Sequence, residues 1–282
     1  MNRILLADLV RRALNEDLGA GDITSEAIFP ADHCSRGVFQ AKASGVIAGL
    51  PVVAEVFQQL DPGVRCQFAL QDGAAVMPGT VLATVSGPTK SLLSGERVAL
   101  NFLQRLSGIA TQTANLVQLA KGYPAAIVDT RKTTPGLRFL EKYAVRQGGG
   151  ANHRFNLADA VLIKDNHIAA CGTITEAVRR ARLAAPHTMT IEVETETEAQ
   201  VREALAAGAD IIMLDNMPPA EMARMVRLID HRAVVEASGN INEATLREVA
   251  ATGVDVISCG SLTHSVRALD ISLDFSSGAD PV

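Results

Sequence analysis

Ala207-Gly208-Ala209-Asp210-Ile211-Ile212-Met213-Leu214-Asp215 decides the fold class. A glycine closes a helix-like segment, a run of aliphatic residues begins soon after it, and the run ends in a carboxylate. Thr252-Gly253-Val254-Asp255-Val256-Ile257-Ser258 repeats the arrangement. Outward from these two, the same rhythm recurs in Ala126-Ile127-Val128 before Asp129, Ala160-Val161-Leu162-Ile163 before Lys164, Thr190-Ile191-Glu192-Val193 before Glu194, and Ala233-Val234-Val235-Glu236-Ala237 before Ser238. Short apolar runs with polar ends, separated by helix-like segments, predict successive strand–helix units. Such units build a parallel sheet, open or closed into a barrel. With about six strand signals, a barrel here is shorter than the usual eight.

The first third reads differently. Ile4, Leu5, Leu9, Val10 and Leu14 recur at helical spacing, and Gly19-Ala20-Gly21-Asp22 is turn chemistry. From about residue 35 to 88 the pattern is short alternating strands punctuated by glycine, among them Val38–Lys42, Gly45–Gly49 and Val81–Val85. This predicts a small α/β domain. The glycine–valine rhythm is also that of a lipoyl or biotinyl carrier, but the hairpin tip Ala75-Val76-Met77-Pro78 has no lysine to modify. A long amphipathic helix is predicted over Ser94 to Lys121, in which Gly108 marks either a break or a close helix contact.

The 282 residues suffice for a large domain or a barrel with a smaller partner domain, and 48% hydrophobic content supplies a substantial core. A net charge of −5 argues against general nucleic-acid binding. Cys34, Cys66, Cys171 and Cys259 form no Cys-x-x-Cys pair, so neither a zinc site nor a redox motif is indicated, and scattered thiols fit a cytoplasmic protein. Asp8, Arg11 and Arg12 interrupt any apolar core of a signal peptide, and no apolar run is long enough to span a membrane.

In a barrel of this kind function sits at the carboxyl ends of the strands. All six strand ends are polar: Asp129-Thr130-Arg131-Lys132, Lys164-Asp165-Asn166-His167, Glu194, Asp215-Asn216, Ser238-Gly239-Asn240 and Cys259-Gly260-Ser261. Together they predict one polar pocket. Arg131, Lys132, Arg138, Arg146, His153, Arg154, Lys164 and His167 concentrate positive charge in an acidic chain, which fits an anionic ligand with several carboxylates or phosphates. A solvated basic face is the alternative, and it suits Arg138 and Arg146 better than the strand-end cations. Glu194 and Asp215 are a carboxylate pair suited to magnesium, or to salt bridges with the nearby cations. Gly148-Gly149-Gly150 and Ser238-Gly239-Asn240 are turns whose backbone N–H groups can approach an anion, the second being the better phosphate cradle. Neither fits a dinucleotide or Walker loop. No nucleophile-and-base set is evident; His153 stands beside Arg154, while His167 and His264 could equally be core or capping residues.

Taken in order, these blocks resemble the quinolinate phosphoribosyltransferase family, also called nicotinate-nucleotide pyrophosphorylase (carboxylating). The resemblance spans nearly the whole chain: Glu16–Gly19, Gly21–Thr24, Glu96–Asn101, Leu106–Thr111, Asp129–Arg138, Gly148–Arg154 and Leu162–His167. It implies an N-terminal α/β sandwich domain over 1–112, an α/β barrel of about six to seven strands over 113–267, and a segment 268–282 that returns to the first domain. It implies transfer of phosphoribosyl from 5-phosphoribosyl 1-pyrophosphate to quinolinate, with release of carbon dioxide and pyrophosphate. It also implies a homodimer or larger assembly in which Arg97 enters the partner's site. Arg131, His153, Arg154 and Lys164 would hold the two carboxylates of quinolinate, with Thr130 beside them. Lys132, Glu194 and Asp215 would serve the pyrophosphate and its magnesium, and the turns Ser238–Asn240 and Cys259–Ser261 the 5-phosphate. Asn240 departs from the family's more usual glycine. A nicotinate-specific sibling enzyme and a related group linked to molybdate transport are weaker fits, and a non-catalytic sugar-phosphate binder would need no carboxylate pair.

Overall fold

The computed structural model describes residues 1–275. In chain order the elements are α1 (Arg3–Leu18), α2 (Ile23–Ile28), β1 (Cys34–Ala41), β2 (Gly45–Val46), α3 (Leu50–Leu60), β3 (Arg65–Phe68), β4 (Ala75–Val76), β5 (Val81–Pro88) and α4 (Thr89–Leu119). There follow β6 (Ala126–Val128), α5 (Arg138–Gln147), β7 (Val161–Ile163), α6 (Asp165–Cys171), α7 (Ile174–Ala184), β8 (Ile191–Thr195), α8 (Glu198–Ala206) and β9 (Ile211–Asp215). The chain then forms α9 (Pro219–Ile229), β10 (Val234–Ser238), α10 (Leu246–Ala250), β11 (Val256–Ser258), α11 (Ser261–His264) and β12 (Ile271–Phe275). No helix among the described residues is long and apolar enough to cross a membrane.

Two compact units divide the chain. The first holds Met1–Gln112, Pro135–Gly149 and the described residues from Val266 onward; the second holds Thr113–Thr134 and Gly150–Ser265. Residues 135–149 therefore belong to the first unit, where the sequence reading gave them to the barrel. The reason is in long-range bonds of α5: the Tyr143 hydroxyl donates to Asp72 (2.7 Å), and Arg105 on α4 donates to the fully buried Glu141. Neither partner is near in sequence.

The first unit is built on a four-stranded antiparallel sheet of order β12-β1-β5-β3, with β2 and β4 as a separate pair. The segment expected as strands throughout also contains the helix α3. Its run of valines reads as strand, but Pro51 stands in its first turn, and Asp72 accepts from the N–H groups of Gly49 (2.8 Å) and Leu50 (3.1 Å) at its start. One face of α3, with Val53, Val56 and Phe57, is buried. Helix α4 runs unbroken through Gly108. A Cβ there would lie 2.2 Å from the carbonyl oxygen of Arg267, so the glycine marks a close contact and not a break.

The second unit is a parallel sheet of six strands, order β6-β11-β10-β9-β8-β7. Residues at both its edges, Arg131 after β6 and Leu162 on β7, line one cavity. The sheet is therefore curled into a short barrel with its strand ends at one mouth. One face of the central strands β8 and β9 is apolar and packed beneath the helices. Ile191, Val193, Ile212 and Leu214 are fully buried.

Candidate active site

The cavity at the strand ends measures about 540 Å³. Period-two alternation sends every second side chain of a strand to the same face. Accordingly Lys164 beyond β7, Glu194 on β8, Asp215 on β9 and Ser238 on β10 all enter this space, with Gly239 and Asn240 following. Thr130, Arg131, Lys132, His153 and Arg154 come from the segments after β6. Eleven of the fifteen residues expected in the site line it. Cys259 and Ser261 do not, and Gly260 only borders it: a Cβ on Gly260 would meet Lys132 Cδ at 3.0 Å, so glycine there leaves room for the lysine stem. The Cys259 thiol is buried, and burial, helped by the charge of Glu236, pushes its pKa up to about 12. That turn can offer a phosphate its backbone but no thiolate. Arg97 stands on α4 in the first unit, outside the unit that carries the cavity.

The segment after β6 is pinned by Asp129, which is fully buried and accepts from Asn152 Nδ2 (2.6 Å) and from the backbone N–H of His153 (2.9 Å). Thr263 Oγ1 donates to the Lys132 carbonyl (2.8 Å), tying the same segment to α11. Arg154 donates to the Ala160 carbonyl (3.0 Å), which leaves part of its guanidinium edge for the cavity. Burial, and then the like charge of Arg131 beside it, lower the pKa of Arg154. Two guanidiniums crowded at a strand-end pocket are stable only where anions balance them. Lys164 donates to Glu194, so one salt bridge already joins the cationic side of the cavity to the acidic side.

Two carboxylates lie deeper than sequence reasoning reached. Glu192 on β8 and Glu236 on β10 are 3% and 4% exposed. They flank His153, whose Nε2 is 3.4 Å from Glu192 and 3.6 Å from Glu236. The Arg154 backbone N–H donates to Nδ1 (2.7 Å), which places the permanent ring proton on Nε2, aimed at both carboxylates. Burial alone would lower the pKa of His153; the two carboxylates outweigh it and push it up to about 9. A second proton at Nδ1 displaces the Arg154 contact. Burial holds Glu192 above the usual carboxylate range, with His153 pulling it back. These three residues bring one ligand atom each within 4.8 Å of one another and could hold a metal ion, but the imidazole N–H already supplies the positive end. The signal in the sequence was the period of two: Glu192 precedes Glu194, and Glu236 precedes Ser238, by one strand repeat.

The remaining expected residues have other tasks. His167 accepts from the Lys164 N–H (2.9 Å) and caps α6. His264 is exposed and contacts Ser265 (2.6 Å). Arg138 and Arg146 lie on α5, and Gly148-Gly149 terminates that helix. A larger groove of about 760 Å³ in the first unit has Asp72 and Tyr143 as its titratable residues, already bonded to each other, and no cation lines it. The strand-end cavity is where charge converges.

The chain matches the pattern of the quinolinate phosphoribosyl transferase N-terminal domain over residues 22–107 and of the C-terminal domain over residues 109–274. It is 51% identical to the probable nicotinate-nucleotide pyrophosphorylase [carboxylating] of Bacillus subtilis, covering 97% of this chain and 94% of that protein. It is 44% identical to the corresponding enzyme of Mycobacterium leprae over 95% of this chain and 96% of that one. Among solved structures, NadC from Streptococcus pyogenes superposes with a TM-score of 0.95 at 44% identity over 98% of each chain. The nicotinate-nucleotide pyrophosphorylase of Francisella tularensis gives 0.94 at 37% identity over 98% of each.

A short parallel barrel whose mouth sets clustered cations against a carboxylate pair defines, with these matches, a phosphoribosyltransferase. Both domain patterns are present in order and together span most of the sequence. The chain belongs to the quinolinate phosphoribosyltransferase family.

Proposed function

We propose that the strand-end cavity performs the reaction of this family: phosphoribosyl passes from 5-phosphoribosyl 1-pyrophosphate to quinolinate, giving nicotinate mononucleotide, carbon dioxide and pyrophosphate. The observation that carries the reading is the division of charge in one cavity, with Arg131, Arg154 and Lys164 facing Glu194 and Asp215. A pyridine dicarboxylate needs paired cations, and guanidiniums meet carboxylates through two parallel hydrogen bonds. Arg131, Arg154 and Lys164 hold the two carboxylates. His153 accepts the Arg154 N–H at Nδ1 and turns its Nε2 proton to the two buried glutamates, which fixes the backbone that bears Arg154. Thr130 accepts from the Lys132 N–H (3.0 Å) and shapes the turn between them.

Lys132 neutralises charge that grows on the departing pyrophosphate. Ser238, Gly239 and Asn240, with the backbone of Cys259–Ser261, receive the 5-phosphate. The pyridine nitrogen bonds to ribose C1 as the C1–oxygen bond to pyrophosphate breaks. Alignment of the two reactants supplies much of the rate. The bond from ring C2 to its carboxylate then breaks, the electron pair stays on C2 beside the new pyridinium nitrogen, and a proton replaces the lost carbon dioxide.

Carboxylate oxygens are the donor set magnesium prefers, and Glu194 and Asp215 reach the cavity from adjacent strands, so they would hold the ion directly or through water. Bound there, magnesium would offset charge on the pyrophosphate. In the working enzyme two or more subunits share sites, with Arg97 of one entering the cavity of another. The place of action is the cytoplasm, which suits four free thiols.

Purified protein mixed with quinolinate, 5-phosphoribosyl 1-pyrophosphate and magnesium tests this directly, with nicotinate as a parallel substrate. Carbon dioxide and nicotinate mononucleotide from quinolinate, abolished by chelator, are expected. Product from nicotinate alone would refute the substrate, and turnover that survives chelation would refute the metal.

A further inference from the structure

Two asparagines in the left-handed region of backbone space join the loops after β9 and β10. Asn216 has φ 53° and Asn240 φ 52°, and both line the cavity. Such residues persist where the surroundings over-determine them, and they concentrate at functional sites. Asn240 Nδ2 donates to Asn216 Oδ1 (3.0 Å), while Asn216 Nδ2 donates to the Asp215 carboxylate (2.7 Å). The Asn216 backbone N–H donates to the Ser238 carbonyl (2.9 Å). The fit is close: a Cβ on Gly239 would lie 2.2 Å from Asn216 Oδ1. One amide thus touches the phosphate-binding turn through its oxygen and the metal-facing aspartate through its nitrogen.

We propose that Asn216 is a positioning residue that links the 5-phosphate turn, Ser238–Asn240, to the Asp215 carboxylate. Loss of the amide loosens both ends, and Asn240 acts through Asn216. The proposal rests on the reading of the cavity given above. It explains why Asn at position 240 is accommodated: its side chain carries an anchor that glycine lacks.

Glycine adopts positive φ without strain, so Asn216→Gly and Asn240→Gly remove the amides and keep the backbone. Dissociation constants of ribose 5-phosphate (chelator present), of 5-phosphoribosyl 1-pyrophosphate with magnesium, and of quinolinate alone are measured calorimetrically for wild type, both single variants and the double variant. Asn216→Gly should weaken both phosphate ligands by about tenfold and change quinolinate by less than about twofold. Asn240→Gly should weaken ribose 5-phosphate by about threefold, and the double variant should be no weaker than Asn216→Gly alone. Unchanged ribose 5-phosphate binding in Asn216→Gly, or a double variant equal to the product of the singles, overturns the linkage. If Asn216→Gly does not fold, Asn240→Gly decides by the same ligand, and unchanged binding there overturns it. A wild-type chain that binds no phosphate ligand overturns the cavity assignment as well, which separates the two failures.

Discussion

Gly108→Ala should destabilise the protein, although helix propensity says the reverse. In a helix interior alanine is favoured over glycine by roughly 1 kcal/mol. At this position the added Cβ would sit 2.2 Å from the Arg267 carbonyl oxygen, 3.1 Å from its carbon and 3.2 Å from Ala268 Cα. All three are backbone atoms, so no side chain can swing aside, and the returning segment must withdraw by about an ångström at an overpacking cost of about 1–3 kcal/mol. That segment is held one turn earlier on α4, where the Leu269 N–H donates to the Gln104 carbonyl (2.9 Å) and Gln104 Nε2 donates to the Ile271 carbonyl (2.7 Å). Each is worth about 1 kcal/mol, and both are strained by the withdrawal. The net expectation is a loss of about 2–3 kcal/mol. Urea unfolding followed by circular dichroism reads it as a lower midpoint at unchanged slope. A variant as stable as wild type, or more stable, would refute the close-contact account of Gly108.

Arg131→Ala should lower kcat/KM for quinolinate by about 100-fold or more, equivalent to about 3 kcal/mol, and near-normal turnover would reject its role. His153 has its pKa pushed up to about 9 from an ordinary 6.5. A raised folded-state value means that its stabilising contribution is complete below about pH 6.5 and is lost as pH rises through about 9. In Glu192→Gln the His153 midpoint, followed by NMR, should fall by about one pH or more; an unmoved midpoint would show that Glu192 does not hold the proton. Arg97→Ala mixed with Lys132→Ala should recover activity through hybrid dimers, and no recovery with subunit exchange verified would count against shared sites.

The barrel was legible because each of its strands is an apolar run that stops at a polar residue, as in Ile211–Leu214 before Asp215. The strand-end residues were legible for the same reason, since in a parallel barrel chain direction alone decides which end gathers function. Glu192 and Glu236 were passed over because a lone charge inside a strand reads as a solvated position. Only the assembled barrel shows that both point inward at His153. Helix α3 was hidden by its valines, whose strand preference is overridden by a cap from Asp72. The transfer of 135–149 to the first unit depends on Tyr143–Asp72 and Arg105–Glu141, pairings between positions whose types alone do not announce a partner. Asn216 stood in view at a strand end, but its role appears only from its backbone angle and the two loops its amide joins.

The place of β12 in the first sheet has a consequence for the time course of synthesis. Ile271–Phe275 pairs with Gly37–Ala41 of β1, and Lys42, one residue past the pairing, meets Asp274 of β12. On the ribosome β1, β3 and β5 emerge early, the entire second unit follows, and the strand that closes the β1 edge emerges only afterwards. At about 5–20 residues per second this leaves the β1 edge unpaired for roughly ten to forty seconds in every round of translation. An open strand edge is a template for pairing with another chain. Nascent chains stalled between β11 and β12 should therefore be the ones that chaperones retain, and release of β12 should end that dependence.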